Sequence, residues 1–342
     1  MEKIKKKTIL FVGNFYLDDK KNLGLRNIGA KIINEFKDDN FDTQFVLFYK
    51  NPIMRMLYLT YKLFTTSFDI LHLEVYSGRY FNFIASYVIV LTKIFKKKIF
   101  LNIAGGAMPE FHQKVGNRVI RILSLADVKV SPSKRIINHF SGSLDITYLP
   151  NFINFEKFPY KYSENNDNKL LWVRAFDSTY NPELPIYAVS ELLKRNQNIN
   201  LTMIGPDSGG LLKKCKSLVK ELNLRNNIKI LGAKSNLELY KYYNSHSIFL
   251  NTTSVESFGF GLVEAASCGI PIISSKVGEI KYIWEEDKEI LFFDDKNLNG
   301  LVNQIEYLIN NKDKHLSLSI NAKKKSDIFS WESFSRHFYK IN

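Results

Sequence analysis

Two glutamates and the glycine-rich turn between them are the residues of this sequence best suited to chemistry. Glu256 and Glu264 flank the turn SFGFG at 257–261, which follows a short apolar run and leads into the helical run LVEAAS. Glycines at a helix start let a ligand approach the backbone, and the free N–H groups there favour a phosphate. A carboxylate accepts paired hydrogen bonds from sugar hydroxyls, as acidic residues do for ribose in dinucleotide-binding folds. The combination predicts a nucleotide-sugar site.

The spacing of the two carboxylates suits one ligand if a helix begins between them. On one continuous helix, Glu256 and Glu264 would lie about 12 Å apart along the axis and be rotated away from each other. We therefore predict that Glu256 lies in the loop and Glu264 in the first turn of the helix, so that both can face one ligand. Gly269 is the expected C-cap of that helix. Cys268 is predicted to be a core residue rather than a thiol nucleophile.

Short apolar runs alternate with runs of helical periodicity along the chain, and they predict the elements that position these residues. Strands are predicted at 9–12, 44–49, 70–75, 99–103, 128–131, 146–149, 170–174, 200–204, 228–231, 248–251, 271–274 and 290–293. Helices are predicted at 23–36, 53–64, 79–95, 115–125, 183–195, 211–222, 236–244, 261–267 and 298–311. This alternation is typical of right-handed βαβ units and of parallel sheets with helices on both faces.

A polar run, KYSENNDNK at 161–169, interrupts the alternation and is predicted to be a linker. The predicted fold class is therefore α/β, with two Rossmann-like, doubly wound parallel-sheet domains that face each other across a cleft. The first domain is predicted at 1–160 and the second at 170–328. A final helix at 329–342 is predicted to pack back towards the first domain.

Several motifs together resemble those of glycosyltransferase family 4, whose members are retaining enzymes with the GT-B fold. The run ESFGFGLVE at 256–264 resembles the family's element of two glutamates separated by seven residues. LPNFI at 149–153 resembles the element that ends the family's first domain. LWVRAF at 171–176 resembles the first strand of its donor domain, and ASCGIP at 266–271 resembles a turn within that domain. The resemblance extends over most of the chain.

The resemblance implies that a sugar is transferred, with retention, from a nucleotide-diphosphate sugar to an acceptor hydroxyl. Arg174 would neutralise the donor diphosphate, Glu256 would lie against the donor sugar as the catalytic residue, and Glu264 would hold the ribose. No metal or other cofactor is implied, because basic side chains and backbone N–H groups would stabilise the leaving diphosphate. The implied donor-binding residues are Arg174, Ser257, Phe258, Gly259, Phe260, Gly261, Leu262 and Glu264.

Two departures from the family pattern keep other functions open. The lysine that the family usually has soon after the arginine is absent, and Lys234 is a candidate to replace it. Ala104 stands where the family often has a histidine, while Gly24 and Gly105 are candidate phosphate-side or acceptor-side positions. A non-catalytic protein that binds a nucleotide sugar is therefore one alternative. An epimerase or a phosphorylase on the same fold is another.

Single residues also keep second interpretations. Glu256 could attack as a covalent nucleophile, and Arg174 could be only a structural ion-pair partner at the end of its strand. His72 could line the cleft, although its apolar surroundings favour a core or edge position. The six histidines form no metal-ligand spacing with each other or with a cysteine, so no metal site is predicted.

The charge is unevenly distributed along the chain. The net charge is +14, and the first 155 residues contain 23 basic and 12 acidic residues. We expect this part to meet an anionic partner, such as a membrane surface, a phosphorylated acceptor or, less favoured, nucleic acid, unless a general lysine bias explains the charge. The acceptor that the resemblance implies for this part is a saccharide or a lipid-linked saccharide. The basic clusters lie at 3–7 and 93–98. The aromatic helix at 53–64 is predicted to be core packing rather than a membrane contact, and no nucleic-acid-binding motif is present.

The composition excludes several protein classes. The chain is 45% hydrophobic and 24% charged, which is typical of globular proteins and not of disordered chains or coiled coils. Two cysteines cannot form a disulfide framework, and we find no secretory signal. The apolar stretch at 83–92 is too short to span a bilayer. We therefore predict a cytoplasmic protein, with or without peripheral attachment to the inner face of the cell membrane.

Overall fold

A computed structural model describes residues 7–13, 41–46, 51–153 and 168–341. The chain divides into two compact units, one formed by Met1–Asn151 with Phe334–Asn342 and the other by Phe152–Ser333. Each unit is built on a parallel sheet of six described strands. The predicted α/β class with two doubly wound domains is therefore confirmed, whereas the cleft between them stays a prediction.

Unit 1 orders its strands β2-β1-β3-β4-β5-β6, so the direction of winding changes between β1 and β3. The strands are β1 (Lys7–Val12), β2 (Phe41–Val46), β3 (Ile70–Val75), β4 (Lys98–Ile103), β5 (Val128–Ser131) and β6 (Thr147–Tyr148). The described helices before residue 151 are α1 (Pro52–Thr65), α2 (Ser86–Ile94), α3 (Met108–Val115), α4 (Arg118–Leu123) and α5 (Lys134–Phe140). A π-helical turn, Phe81–Ala85, leads directly into α2.

Unit 2 orders its strands β12-β11-β10-β7-β8-β9, and its direction of winding changes between β7 and β10. The strands are β7 (Lys169–Val173), β8 (Asn200–Ile204), β9 (Ile228–Leu231), β10 (Ile248–Asn251), β11 (Ile272–Ser275) and β12 (Leu291–Phe293). The helices are α6 (Leu184–Lys194), α7 (Leu211–Glu221), α8 (Asn236–Tyr243), α9 (Phe260–Cys268), α10 (Ile280–Ile283), α11 (Leu298–Asn310) and α12 (Lys312–Ser326). This strand order is that of the Rossmann fold.

The strands of unit 2 are apolar on both faces because helices cover both sides of the sheet. Leu170 and Trp172 point into a core that includes residues of α6, α7 and α11. Leu171, between them, points into a second core that includes residues of α8, α9 and α10. Successive side chains of a strand alternate between faces, so one short apolar run serves two cores.

The structure corrects the helix predictions at several places. The helix predicted at 115–125 is shorter and corresponds to α4, because α3 ends at Val115 and its C-cap is Gly116, whose φ of 74° is readily adopted only by glycine. Helices α3, α5, α10 and α12 were not predicted. The buried face of α12 includes His315 and Ser319, while Leu316 and Ile320 are exposed, so its sequence lacks an apolar stripe. Gly24, the predicted helix at 23–36 and residues 161–167 of the predicted linker lie outside the described residues.

The last helix, α13 (Trp331–Ile341), begins in unit 2 and continues into residues that belong to unit 1. Within unit 2, the ring of Trp331 lies 4.9 Å from that of Phe152. Within unit 1, the ring of Phe338 lies 4.9 Å from that of Phe100 on β4. Within the described parts of the chain, no helix has the length and apolar character needed to cross a membrane.

Candidate active site

The candidate site lies at the carboxyl ends of β7 and β10, the two neighbouring strands between which the winding of unit 2 reverses. Arg174 directly follows β7, and Asn251 is the last residue of β10. Loops that leave such a switch point run in opposite directions across the sheet and open a crevice there, where ligands bind in open α/β folds. The structure therefore brings Arg174 next to the loop that contains Glu256.

Arg174 is held by an amide, a carboxylate and an aromatic ring. Its Nε donates a hydrogen bond to Asn251 Oδ1 at 3.1 Å, and its Nη2 donates to Glu256 Oε2 at 2.6 Å. The guanidinium carbon lies 5.5 Å from the centre of the Tyr180 ring. The side chains of Arg174 and Glu256 are only 13% and 12% exposed, so their ion pair is weakly screened by solvent.

The loop after β10 holds the Glu256 carboxylate against its own backbone. Glu256 Oε1 accepts hydrogen bonds from the backbone N–H groups of Ser257 at 3.1 Å and Phe258 at 3.4 Å. The carbonyl of Glu256 accepts a hydrogen bond from the N–H of Glu279 at 3.0 Å. A Cβ atom at Gly278, whose φ is 52°, would lie 2.0 Å from the same carbonyl oxygen. This position therefore accommodates only glycine.

Helix α9 begins beside the guanidinium of Arg174. Gly259 is its N-cap, with a φ of 87°, and a Cβ atom at Gly261 in the first turn would lie 3.6 Å from Arg174 Nη1. Phe258 and Leu262 are buried in the core and anchor the start of the helix there. The helix ends at Gly269, with a φ of 79°, as predicted. The first turn of α9 thus offers backbone N–H groups next to a cation.

Glu264 differs from its predicted position. Helix α9 begins at Phe260, so Glu264 lies in the second turn and not in the first. The side chain is 2% exposed, and Glu264 Oε2 accepts a hydrogen bond from the hydroxyl of Tyr243 at 3.1 Å. The helix starts earlier than predicted because Gly259 adopts the N-cap conformation, which leaves Phe260 as the first helical residue. Glu264 and Glu256 therefore have different surroundings.

The other candidate residues, Lys234 and Gly105, each bond to a residue of their own unit. Lys234 precedes α8 and donates to Glu238 Oε1 at 3.1 Å, so within the described chain it is paired with the capping box of that helix. In unit 1, the N–H of Gly105 bonds to the carbonyl of Val75 at 3.2 Å. A Cβ atom at Gly105 would lie 3.0 Å from Tyr76 Cα, so the chain passes closely over the end of β3.

The residues that position Arg174 and Glu264 were not predicted from the sequence. Asn251 holds the guanidinium and in turn donates to Ser274 Oγ at 2.8 Å. Tyr243 contacts Glu264 from the end of α8. The one available signal was the polar last residue of an otherwise apolar strand, IFLN at 248–251. Tyr180 and Tyr243 gave no signal, because their partners are distant in the sequence.

Unit 1 also buries polar residues at its strand ends. Glu74, at the end of β3, accepts hydrogen bonds from Tyr76 Oη at 2.9 Å and from Asn102 Nδ2 at 3.1 Å. Burial raises the pKa of Glu74, and the two hydrogen bonds oppose that change. His72 is 1% exposed and lies in the core, 4.7 Å from the ring of Phe11, which settles its two interpretations. No group of three metal-ligating side chains occurs among the described residues.

Comparison with known proteins connects this site to a family. The family profile of the glycosyl transferases group 1 matches residues 154–325, half of the chain, and includes Arg174, Glu256 and Glu264. The chain belongs to the group 1 glycosyltransferases. The matched region corresponds to unit 2 rather than to unit 1. Membership of the narrower family 4 stays a prediction.

Two curated relatives each match about half of this group 1 glycosyltransferase. An uncharacterised glycosyltransferase of Methanocaldococcus jannaschii is 32% identical over 171 residues, which cover 50% of this chain and 46% of the relative. The D-inositol 3-phosphate glycosyltransferase of Corynebacterium urealyticum is 22% identical over 165 residues, which cover 47% of this chain and 39% of the relative. The chain therefore spans less than half the length of these relatives.

A solved structure matches the whole chain. HepE of Anabaena, crystallised in complex with UDP, superposes with a TM-score of 0.75 over 97% of this chain and 98% of HepE, at 14% identity. At this identity the likeness concerns the fold alone. The group 1 glycosyltransferase therefore has the GT-B fold, with two units that each contain a parallel six-stranded sheet.

Proposed function

We propose that this chain is a retaining glycosyltransferase of family 4 that transfers a sugar from a nucleotide-diphosphate sugar to an acceptor hydroxyl. One observation carries the proposal: Arg174, Glu256 and the start of α9 converge at the switch point of a Rossmann-ordered sheet. A cation, a helix N-terminus and a carboxylate are the groups that a diphosphate and a sugar require. The UDP complex of HepE, a protein of the same fold, supports a nucleotide donor.

In this proposal the donor diphosphate lies at the first turn of α9, beside Arg174. Two sides of the guanidinium are occupied by Asn251 and Glu256, while Nη1 lies next to Gly261 and has no hydrogen-bond partner within the described chain. Guanidinium carries five N–H donors, so it can keep Glu256 and still bind a phosphate oxygen. This geometry reconciles the two interpretations of Arg174, as phosphate ligand and as ion-pair partner.

Glu256 and Glu264 take different roles in the proposed reaction. Glu256, fixed by Arg174 and by two backbone N–H groups, lies against the donor sugar as the catalytic residue. Glu264, fixed by Tyr243, holds the ribose from the second turn of α9. The leaving diphosphate is stabilised by Arg174 and backbone N–H groups, so the proposed reaction uses no metal or other cofactor.

We place the acceptor on unit 1, to which the family profile does not extend. We propose a saccharide or a lipid-linked saccharide, in polysaccharide or glycolipid biosynthesis. We further propose that the protein is cytoplasmic and meets the inner face of the cell membrane peripherally. The excess of basic over acidic residues in the first 155 positions supports an anionic surface as partner.

Isosteric substitutions in the site test the proposed function. A thermal-shift screen against nucleotide sugars first identifies the donor, since a ligand that binds the native state raises its melting temperature. With that donor and a panel of saccharide acceptors, Glu256→Gln and Glu264→Gln should each lower the transfer rate at least about a hundredfold. Glu286→Gln, which removes a half-exposed partner of Lys276, is the matched control and should retain the rate.

The outcomes separate the alternatives. Full transfer activity in either glutamate variant, with a native circular dichroism spectrum, would contradict the assigned roles. Donor isomerised without acceptor would indicate an epimerase, and release of a sugar phosphate driven by free phosphate would indicate a phosphorylase. Donor binding without turnover across the acceptor panel would indicate a non-catalytic protein.

A further inference from the structure

Helix α1 of unit 1 exposes large apolar side chains along one face. Ile53, Leu57, Tyr61 and Phe64 are 71%, 60%, 60% and 63% exposed. Their spacing of three or four residues places them on a single stripe. The opposite face of α1 is anchored in the core of unit 1, where Leu59 is fully buried. The helix is therefore packed on one side and exposed on the other within the part of the chain that the structure describes.

The segment that contains α2 exposes a second stripe of the same kind. Phe83 in the π-helical turn and Ile94 at the end of α2 are 66% and 67% exposed, and Val90 between them is 40% exposed. Tyr87 lies on the same stripe by its spacing from Phe83 and Val90. The opposite side of α2 packs into the core of unit 1 through Val88 and its buried neighbours.

The two stripes lie side by side. Thr60 Oγ1 of α1 and Tyr87 Oη of α2 are within hydrogen-bonding distance, at 2.8 Å. Near the ends of the two helices, the rings of Phe64 and Phe95 meet edge to face with their centres 5.0 Å apart. The exposed side chains therefore form one continuous surface, which we call the α1–α2 face: Ile53, Leu57, Tyr61, Phe64, Phe83 and Ile94.

The two sequence segments that form the α1–α2 face carry charge of one sign. The sequence contains no acidic residue from Asn51 to Phe68 or from Tyr76 to Phe100. The same two segments contain six basic residues besides the strand residue Lys98: Arg55, Lys62, Arg79, Lys93, Lys96 and Lys97. Of these, Lys93 is neutralised in part by Asp127, at 3.3 Å. Exposed apolar and aromatic side chains rimmed by cations are the pattern of helices that lie in a membrane interface.

We propose that the α1–α2 face is a docking surface for an anionic lipid bilayer, with its apolar side chains inserted among the lipids and its basic residues at the headgroups. Charge complementarity selects this occupant over a second copy of the chain, because two such faces would bring like charges together. The exposed stripe of α1 differs from the core packing expected for the helix at 53–64. The proposal rests on the membrane contact proposed above and does not depend on glycosyl transfer.

Vesicle sedimentation of the full chain tests the proposal. Wild-type protein should sediment with vesicles of phosphatidylcholine and phosphatidylglycerol, and raising the salt concentration should weaken this binding. Leu57→Glu/Ile94→Glu should lower the partition coefficient at least about tenfold, since two apolar side chains are replaced by anions. The matched control is Leu237→Glu/Ile320→Glu, at positions of unit 2 that are 63% and 50% exposed, and it should bind like wild type.

The basic rim is tested separately. Arg79→Gln/Lys96→Asn should weaken binding to anionic vesicles and reduce its salt dependence, whereas Lys213→Gln/Lys220→Gln on α7 should not. Asparagine is chosen at residue 96 because its φ is 55°, a conformation that asparagine tolerates.

Three results would overturn the proposal: no sedimentation of wild type, equal sedimentation with vesicles of phosphatidylcholine alone, or unchanged sedimentation of Leu57→Glu/Ile94→Glu. Dissociation of a wild-type dimer by that variant, without vesicle binding, would assign the face to a second copy instead. Melting temperature and the thermal shift with the donor are recorded for every variant. A variant that loses vesicle binding but keeps the donor-induced shift separates failure of the membrane contact from failure of the proposed function.

Discussion

Arg174 shows why residue types could be predicted here while their relations could not. The sequence shows that Arg174 follows an apolar strand and that it resembles a family arginine. These two features are enough to assign it to the site. Its partners Asn251 and Glu256 lie far along the chain, and the bonds to them depend on which strands are neighbours. Side-chain pairing across a sheet is set by tertiary structure, which local patterns do not contain.

His72 allows a prediction of pH dependence at the scale of one residue. Within the described chain neither ring nitrogen has a hydrogen-bond partner, and burial lowers its pKa from 6.5 to about 3. Below pH 6.5 the unfolded chain therefore binds a proton that the folded protein excludes, so stability falls as the pH is lowered towards 3. This group alone should cost up to about 1.4 kcal/mol per pH unit in that window.

The substitution His72→Phe tests this prediction, because the neighbours include the rings of Phe11 and Phe100. Urea unfolding at pH 7 and pH 5 should show a wild-type loss that exceeds the loss in the variant by about 2 kcal/mol. The variant should also be more stable at pH 7, since it removes two unsatisfied polar atoms. An identical loss of stability in both proteins would contradict the prediction.

At the scale of elements, the turn that follows β11 packs closely against the loop that follows β10. The closest approach is at Gly278. The strained φ alone should make Gly278→Ala lower the free energy of unfolding by about 1 kcal/mol. The loss should exceed this value because the new Cβ displaces the Glu256 carbonyl. The displaced loop should also lose Glu256 from Arg174 and weaken the donor-induced thermal shift. Urea unfolding and thermal shift measure the two effects.

Gly210→Ala provides the matched comparison. Gly210 also has a positive φ, of 74°, but nothing lies within 4 Å of a Cβ atom there. This variant should show only the conformational cost and should retain the thermal shift. Equal destabilisation by the two substitutions would show that the contact between Gly278 and Glu256 has no energetic weight.

Five predicted strands have the bounds that the structure shows: β3, β5, β8, β9 and β10. Their apolar residues are enough to mark the strand, although β9 exposes Lys229. Helix α12, which was not predicted, buries mainly small or polar residues instead. On α12, Ser319 donates to the carbonyl of Gly269 and His315 contacts that of Ser247, so the helix is fixed by hydrogen bonds that composition does not reveal.

At the scale of the whole molecule, two units with separate cores should respond differently to a donor. By mass action, a donor at a hundred times its dissociation constant stabilises the protein that binds it by about 2.7 kcal/mol. Hydrogen exchange should therefore slow most in β7, β10 and α9 of unit 2 when donor is added. Protection confined to β3 and β4 of unit 1 would contradict the assignment of the donor site.

The alternation of strands and helices predicted two sheets but not the order of strands within them. Any βαβ unit can add its new strand on either side of the growing sheet, and this choice is made by the packing of helices on both faces. The switch point between β7 and β10 therefore emerged only from the structure. The location of the site depends on this order, which is why its residues were predicted and its geometry was not.

The separation of Arg174 from Glu256 has a consequence for biosynthesis. The two residues are 82 positions apart, although their side chains bond directly. During translation the strand before Arg174 is made first. Two further βα units are made before the loop that contains Glu256. Contacts between such distant segments form late in folding, because the entropy cost of closing a long loop comes before the contacts can stabilise the chain. A nascent chain that stops before β10 would therefore expose Arg174 to water, because it would lack both Glu256 and the first turn of α9.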